Sequence, residues 1–403
     1  MRPIPHPSEH GFSMVELMVA MLIGLIGMII IFQVFEVSEG IKRTTTSGGD
    51  AQQNGAIALY VMEHDLRNAG MGFNDVSYAG CKVVAYDSQR ATPDFTMKLV
   101  PVSITPGATA KVPDQFTVFY GSAALVANPT VLLTIMGNGS SNISVSNPYA
   151  TRPGDLLVLL WPATANDCSL LEVTGQPPGA GGTTTFLHAP GVSYQLWGTL
   201  TNETARFNRP TGLTVAYGGV GSPTGNVTRV YNLGNLYEPT NRPNIPVNNT
   251  YAIDASNSLT VTATFTGKNV SAPLTNPVAD NIVHMRALYG VDDGVGDASV
   301  TIKNGGINVA GDGLVDRFVD AATFNALPTP PWQSLIAVRV AIVARSALSE
   351  KATGAGGACE TTMAFPTWSG GTFDLSADPN WQCYRYRVFE TTVPLRNWIW
   401  KSS

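Results

Sequence analysis

The sequence has few charged residues and only a small excess of one sign. Lys and Arg number 24 against 29 Asp and Glu in a chain of 403 residues, which leaves a formal net charge of −5. Proteins that hold nucleic acid through its phosphates carry a basic patch or stripe. Because this chain has no basic excess, we do not expect direct nucleic-acid binding.

The sequence also lacks the compact motifs of common enzymes and metal sites. It contains no His-Glu-x-x-His pair, no nucleophile elbow, no phosphate-binding glycine loop and no Cys-x-x-Cys pair. Beyond His6 and His10 its histidines are far apart, at His64, His188 and His284. We therefore expect no catalytic residues and no cofactor, and interpret these three histidines as structural or surface residues.

One long apolar run stands near the beginning of the chain. Residues 17–35 carry no charge, and Glu16 is a single carboxylate directly before them. As an α-helix, residues 12–35 would be about 36 Å long, enough to cross the hydrocarbon core of a membrane. A secretory signal peptide has its small cleavage-site residue after the apolar region, whereas Gly11 lies before it. Cleavage at Gly11 would therefore keep the helix in the protein.

The order Gly11, Phe12, Glu16 and then the apolar run resembles the class III signal of type IV prepilins. The resemblance implies that a prepilin peptidase cuts between Gly11 and Phe12 and methylates the new Phe12 amine. It also implies an assembly role for Glu16, because a carboxylate in a medium of low dielectric constant is stabilised by the amine of a neighbouring subunit. The alternative is an ordinary signal anchor with a stray glutamate at the membrane interface.

The helix is expected to continue beyond the apolar run to residue 70. Leu59, Met62, Leu66 and Ala69 form one apolar stripe at helical spacing, which predicts packing against a head domain. Gly48, Gly49 and Gly55 are positions where such a helix could bend or fray. The stop signals are Gly70 and Gly72, directly after Arg67.

The rest of the chain has the composition of a β-rich domain, with abundant Gly, Pro, Thr, Asn and Val. We predict strands at 115–120, 130–135, 155–160, 184–187, 212–217, 229–232, 259–265, 335–345 and 385–395, and a strand or short helix at 280–289. The predicted fold class is α+β: a long N-terminal hydrophobic α-helix, as in type IV pilins, packed on a large antiparallel β-rich head. The predicted division is 1–11 leader, 12–35 transmembrane and fibre-core helix, 36–70 amphipathic continuation, and 71–403 head in the periplasm or outside the cell.

Four cysteines in an exported head suggest two disulfides, for which the sequence alone allows three pairings. We predict Cys81 with Cys168 and Cys359 with Cys383, because the second pair closes a short loop near the C-terminus.

Several later phrases resemble the PilW family of minor pilins. They are Asp65-Leu66-Arg67-Asn68-Ala69-Gly70, Ala287-Leu288-Tyr289-Gly290-Val291-Asp292, Ala337-Val338-Arg339-Val340, and the ending around Leu395-Arg396-Asn397. The resemblance implies an assembly protein that joins other minor pilins in a tip complex that initiates the pilus. It implies the major pilin, prepilin peptidase, the inner-membrane assembly platform and a tip adhesin as further partners, and adhesion, twitching motility or DNA uptake as outcomes. It also implies a single pass of the inner membrane before assembly, and then a position in the pilus at the cell surface.

Two rival functions remain open. One is a J-type pseudopilin of a type II secretion system, although the heads of that class are much shorter. The other is a membrane-anchored periplasmic enzyme or glycan-binding protein, which would keep an uncleaved helix and contain a small-molecule pocket. Residues 81–276 match no family phrase.

Two weaker features complete the candidate sites. Asp292, Asp293, Asp312 and Asp316 lie among glycines, and such oxygen ligands on flexible loops suit Ca²⁺, although the spacing does not fit an EF-hand. Two exposed turns would explain the same residues. Trp398 and Trp400 near the end of the chain are candidates for a partner interface.

Overall fold

The computed structural model describes residues 11–73, 75–123, 129–149, 151–161, 168–176, 184–196, 202–222, 227–235, 237, 245–267, 270–294, 313–327, 331–352 and 354–399. Its helices are α1 (Met14–Asn68), α2 (Ala321–Asn325) and α3 (Arg396–Ile399). Its strands are β1 (Lys82–Tyr86), β2 (Asp94–Lys98), β3 (Val102–Thr105), β4 (Gln115–Tyr120), β5 (Thr130–Val131), β6 (Asn142–Ser144), β7 (Asp155–Leu160), β8 (Cys168–Glu172), β9 (Thr185–Leu187), β10 (Ser193–Gln195), β11 (Asn202–Thr204), β12 (Arg229–Asn235), β13 (Val247–Ile253), β14 (Ser258–Ala263), β15 (Leu274–Asp280), β16 (Ile282–Val291), β17 (Arg317–Asp320), β18 (Leu335–Arg345), β19 (Thr367–Trp368), β20 (Gly371–Thr372) and β21 (Tyr386–Pro394). The predicted fold class is confirmed: a long N-terminal apolar helix precedes a β-rich head.

Helix α1 is one continuous helix of 55 residues. It runs through Gly48, Gly49 and Gly55 without a break. It ends at Asn68, and Gly70 follows with a φ of +80°, which only glycine adopts without strain. The predicted continuation of the helix and its stop signal are confirmed.

The second half of α1 packs on the head. Its buried face carries the apolar residues Ala51, Ala58, Met62 and Leu66, and Ala69 follows directly after the helix; all five are 0–2% exposed. Leu59, from the predicted stripe, is half-buried against the same core. This face contacts β21, β18, β15 and β4. The helix is therefore held by a stripe of small and medium apolar side chains, as its spacing indicates.

Three larger sheets form the head. Their strand orders are β17-β16-β18-β21, β15-β14-β13-β4-β3 and β2-β1-β8-β7-β12-β5. All strand pairs in them are antiparallel except β1 and β8, which pair in parallel at Val83 with Cys168 and at Val84 with Ser169. Side chains from α1 and from all three sheets share one hydrophobic core.

The strands predicted at 115–120, 155–160 and 335–345 are present with these bounds. In the segment 280–289, Asp280 ends β15 and residues 282–289 belong to β16, so the strand alternative is the correct one there. The prediction at 212–217 is wrong, because Gly212 has a φ of +83° and its backbone N donates to Arg209 O, which makes a turn. The prediction at 130–135 is too long, since regular pairing stops after Val131.

Candidate functional site

The helix begins with a capping box built by Ser13 and Glu16. Ser13 Oγ accepts a hydrogen bond from the backbone N of Val15 at 3.2 Å, and the backbone N of Ser13 donates to Glu16 Oε2 at 3.3 Å. Gly11 and Phe12 lie directly before this cap, and Phe12 is 88% exposed. The spacing Ser-x-x-Glu is itself a signal for a helix N-terminus. Glu16 thus has a local structural role that our reading of the sequence missed.

The first half of α1 is apolar, and the head does not cover it. The segment Met14–Lys42 is long and apolar enough to cross a membrane, and the head buries none of its most apolar stretch. A soluble monomer rarely exposes so large an apolar surface, so lipid or other subunits must cover it. The head reaches along the helix as far as Glu36, whose Oε1 lies 3.0 Å from Lys351 Nζ.

A buried carboxylate joins the helix to the head. Asp65 Oδ2 accepts hydrogen bonds from the hydroxyl of Tyr251 at 2.7 Å and from Asn249 Nδ2 at 2.9 Å. Its Oδ1 accepts from the hydroxyl of Tyr120 at 3.0 Å. Burial, and then the charge of Asp65, raise the pKa of both tyrosines, so both hydroxyls remain protonated donors. Sequence reasoning did not find this site. Two acids, Glu63 and Asp65, lie between Met62 and Leu66, and the sequence alone did not show which of them is buried.

The end of the chain returns to the end of α1. Asn397 Nδ2 donates to the backbone O of Asn68 at 3.2 Å and so satisfies a carbonyl at the helix C-terminus. Trp398 is 0% exposed, and its Nε1 donates to Trp332 O at 3.2 Å. The prediction that Trp398 presents a partner surface is therefore corrected: its ring fills the core beside Gly70 and Phe73. Trp400 lies outside the described residues.

Both predicted disulfides are present. Cys81–Cys168 and Cys359–Cys383 have Cα–Cα distances of 6.1 and 4.9 Å. The first ties the chain directly before β1 to the start of β8, where the two strands run in parallel. It thus cross-links two neighbouring strands of the six-stranded sheet.

The aspartates proposed for calcium make internal contacts. Asp292 Oδ2 accepts from the backbone N of Gly313 at 2.8 Å, and Asp316 Oδ2 accepts from the backbone N of Gly294 at 2.6 Å. Asp293 pairs with Arg317. Asp312 lies outside the described residues. Within the described ranges no group of three or more His, Cys, Asp or Glu side chains could hold a metal ion. These residues close the base of the β16–β17 connection, and a calcium role is not shown.

The chain matches two family models. Residues 250–397 match Type IV Pilus-assembly protein W, and residues 6–32 match the prokaryotic N-terminal methylation motif. Searches of curated proteins and of solved structures gave no match. The first match contains the phrases at 287–292, 337–340 and 395–397, and the second contains Gly11, Phe12 and Glu16. The two matches together correspond to a PilW-family minor pilin with an N-terminal methylation signal.

Proposed function

We propose that this minor pilin helps to initiate type IV pilus assembly as part of a minor-pilin complex at the tip of the fibre. Residues 1–11 are the leader, and residues 12–35 form the helix that crosses the inner membrane and later enters the fibre core. Residues 36–70 are the amphipathic continuation that connects this helix to the head, and residues 71–403 form the head. The observation that carries the proposal is the apolar first half of α1, which follows directly after Gly11 and Phe12 and is not covered by the head. The contact of Lys351 with Glu36 supports the boundary, since the head begins to cover the helix there.

Glu16 is the proposed assembly residue. After cleavage at Gly11, Phe12 carries a positively charged amine, and a bilayer or fibre core stabilises a carboxylate that pairs with such an amine. The side chain of Glu16 is exposed in the single subunit and so is accessible to a neighbour. The proposed pair joins Glu16 of one subunit to Phe12 of the next and sets their register.

The capping box allows a sharp test of this role. Glutamine serves a capping box as well as glutamate does, but it carries no charge. We expect Glu16→Gln to insert and to be cleaved normally, yet to fall at least about tenfold in sheared pili, because the loss of a partly buried ion pair costs more than about 1.4 kcal/mol. Ser13→Ala is the matched control, because it removes the cap and keeps the charge. We expect its incorporation to be near normal.

Immunoblots of membranes and of sheared pili measure both variants. If Glu16→Gln entered pili normally while Ser13→Ala did not, Glu16 would be a helix cap and the pairing proposal would be wrong. Sequencing of the mature N-terminus should show N-methylphenylalanine at Phe12, and a retained Met1 would contradict the processing step.

Deletion of the gene should abolish surface piliation. Loss of exoprotein secretion with intact piliation would assign the chain to the pseudopilins of type II secretion instead. Co-purification with the other minor pilins tests the tip complex, and their normal assembly without this chain would overturn it.

A further inference from the structure

A cleft opens beside the six-stranded sheet, far along the chain from the assembly segment. Its cavity volume is about 200 Å³, and its walls come from β1, β8 and the loops 139–141, 188–190 and 208–214. None of its lining residues lies within either family match. The assembly role proposed above makes no use of this cleft.

Backbone hydrogen bonds hold the loops around the cleft. The backbone N of Leu213 donates to Asn138 O at 2.8 Å, and that of His188 donates to Ser141 O at 2.9 Å. Gly212 adopts a φ of +83°, and a side chain there would collide with Asn138 O. Because these hydrogen bonds lie within the chain itself, the cleft does not need to order its walls on binding, which lowers the free-energy cost of association.

His188 lines the cleft with a ring that is itself buried. The residue is only 4% exposed, and its Nε2 has no hydrogen-bond partner within the described part of the chain. Burial lowers the pKa of His188, and backbone hydrogen bonding to Asn142 opposes this shift. The ring is therefore neutral at neutral pH. Because Nε2 has almost no accessible surface, the neutral ring closes the wall of the cleft and offers no contact to a ligand.

Arg209 gives the cleft its charge. Its Nη2 lies 2.9 Å from Asp94 Oδ1, and the guanidinium has further N–H donors. No Asp or Glu side chain lines the cleft among the described residues. A cation is therefore disfavoured, and a carboxylate on the ligand would match the guanidinium.

The remaining lining is a mixture of hydroxyl and apolar groups. Ser141 contributes an exposed hydroxyl, while Tyr86, Pro190 and Leu213 contribute apolar surface. Inorganic phosphate would use Arg209, but it has no carbon face for the apolar wall. A sugar ring has both hydroxyl donors and an apolar face. We propose that this cleft binds a single sugar ring that carries a carboxylate, with the carboxylate on Arg209 and the apolar face of the ring against Tyr86, Pro190 and Leu213.

The test uses the full mature chain in lipid nanodiscs, since sugar-headed detergents would compete. The probes are methyl β-D-glucuronide and methyl β-D-galacturonide, with the corresponding neutral glycosides as controls, in calorimetric or saturation-transfer titrations. We expect at least one uronide to bind saturably with a Kd of about 1 mM, as suits so small a ligand. The neutral parent sugar should bind at least about tenfold more weakly, because it lacks the carboxylate.

Two glycines provide a matched pair of variants. A Cβ on either Gly137 or Gly139 would meet no atom within 4 Å, and neither glycine has a positive φ, but only Gly139 lines the cleft. Gly139→Leu should therefore abolish uronide binding, and Gly137→Leu should leave it unchanged. Arg209→Gln should reduce uronide binding to the level of the neutral sugar, whereas Arg387→Gln, on an exposed position of β21, should not.

Three results would overturn the inference. They are no saturable binding of either uronide up to about 50 mM, equal binding of the neutral sugars, and undiminished binding by Gly139→Leu. None of these results bears on entry into pili, so the assembly proposal fails or stands independently. Equal thermal unfolding midpoints of the glycine variants would show that a loss of binding is not a loss of fold.

Discussion

Asp65 lies on the face of α1 that packs against the head, where every neighbouring stripe residue is apolar. Its carboxylate is the shared acceptor for Tyr120 on β4 and for Asn249 and Tyr251 on β13. Three donors converge on one group from one sheet, so the helix can dock at only one rotation and height without leaving a donor unsatisfied. A buried polar group of this kind fixes the position of the helix on the sheet. Small apolar side chains alone would allow the helix to pack in several registers.

Asp65→Ala should destabilise the head by about 3 kcal/mol or more, because it leaves Tyr120, Asn249 and Tyr251 without their acceptor. Glu63→Ala is the matched control on the same helix. It removes an i,i+4 pair with Arg67 on the surface and should cost no more than about 0.5 kcal/mol. Urea unfolding of the full chain, followed by tryptophan fluorescence, measures both.

The source of that loss can be separated from a simple loss of packing. Asp65→Leu combined with Tyr120→Phe and Tyr251→Phe removes most donors together with the acceptor. We expect this variant to be more stable than Asp65→Ala. If it were equally unstable, unsatisfied hydrogen bonding would not be the reason.

At the scale of elements, α1 serves two environments with one continuous helix. Its exposed first half is apolar, while its packed second half has small residues where it contacts β21. Gly55 is the closest point: a Cβ there would lie within 2.6 Å of three atoms of the Phe389 ring. A glycine that the sequence marks as a weak point in the helix is thus the position that allows the strand to approach.

Gly55→Ala should lower the thermal unfolding midpoint, because overlap with Phe389 costs about 1–3 kcal/mol and outweighs the helix propensity that alanine gains. Gly49→Ala is the control. A Cβ at Gly49 would meet no atom within 4 Å, so this change should stabilise the helix by up to about 1 kcal/mol. Equal stabilisation by both substitutions, measured by circular dichroism on heating, would contradict the close approach.

At the scale of the whole molecule, the chain closes on itself near the end of α1. The last strand packs on the helix, Asn397 caps it, and Trp398 fills the core beside it. The disulfides act at different distances along the chain. Cys81–Cys168 spans 87 residues and joins the start of β1 to its neighbour β8 in the six-stranded sheet, while Cys359–Cys383 spans 24 residues within the C-terminal region.

The longer cross-link should contribute more to stability. In the chain-entropy description, removal of Cys81–Cys168 costs about 4.6 kcal/mol and removal of Cys359–Cys383 about 3.5 kcal/mol. Double substitution to alanine in each pair avoids a hydroxyl at Cys168, which is fully buried. Urea midpoints of the two double variants should fall in that order, and the reverse order would show that local strain or packing dominates over loop closure.

Local sequence patterns were enough to predict much of this structure. The stripe of α1 predicted its buried face, short apolar runs between turn residues predicted β4 and β7, and Val/Ile content predicted β18 as a buried strand. Loop length favoured the pairing of Cys359 with Cys383. The prediction at 212–217 failed because a left-handed turn at Gly212 competes with strand propensity. Trp398 was misassigned for a related reason: proximity to the chain end suggests exposure, but the last strand carries the ring back into the core.

The sequence by itself determined the apolar helix, its cap and stop, the β-rich class of the head and the residues that match the pilin signal. Each depends on the spacing of residues within a few helical turns or one strand. The hydrophobic effect and backbone sterics act directly on such local patterns. Only the tertiary structure decided which donors meet Asp65, which ring needs Gly55 and which loops enclose the cleft at His188 and Arg209. Those partners lie many residues apart, and the packing of α1 and the three sheets alone brings them within bonding distance.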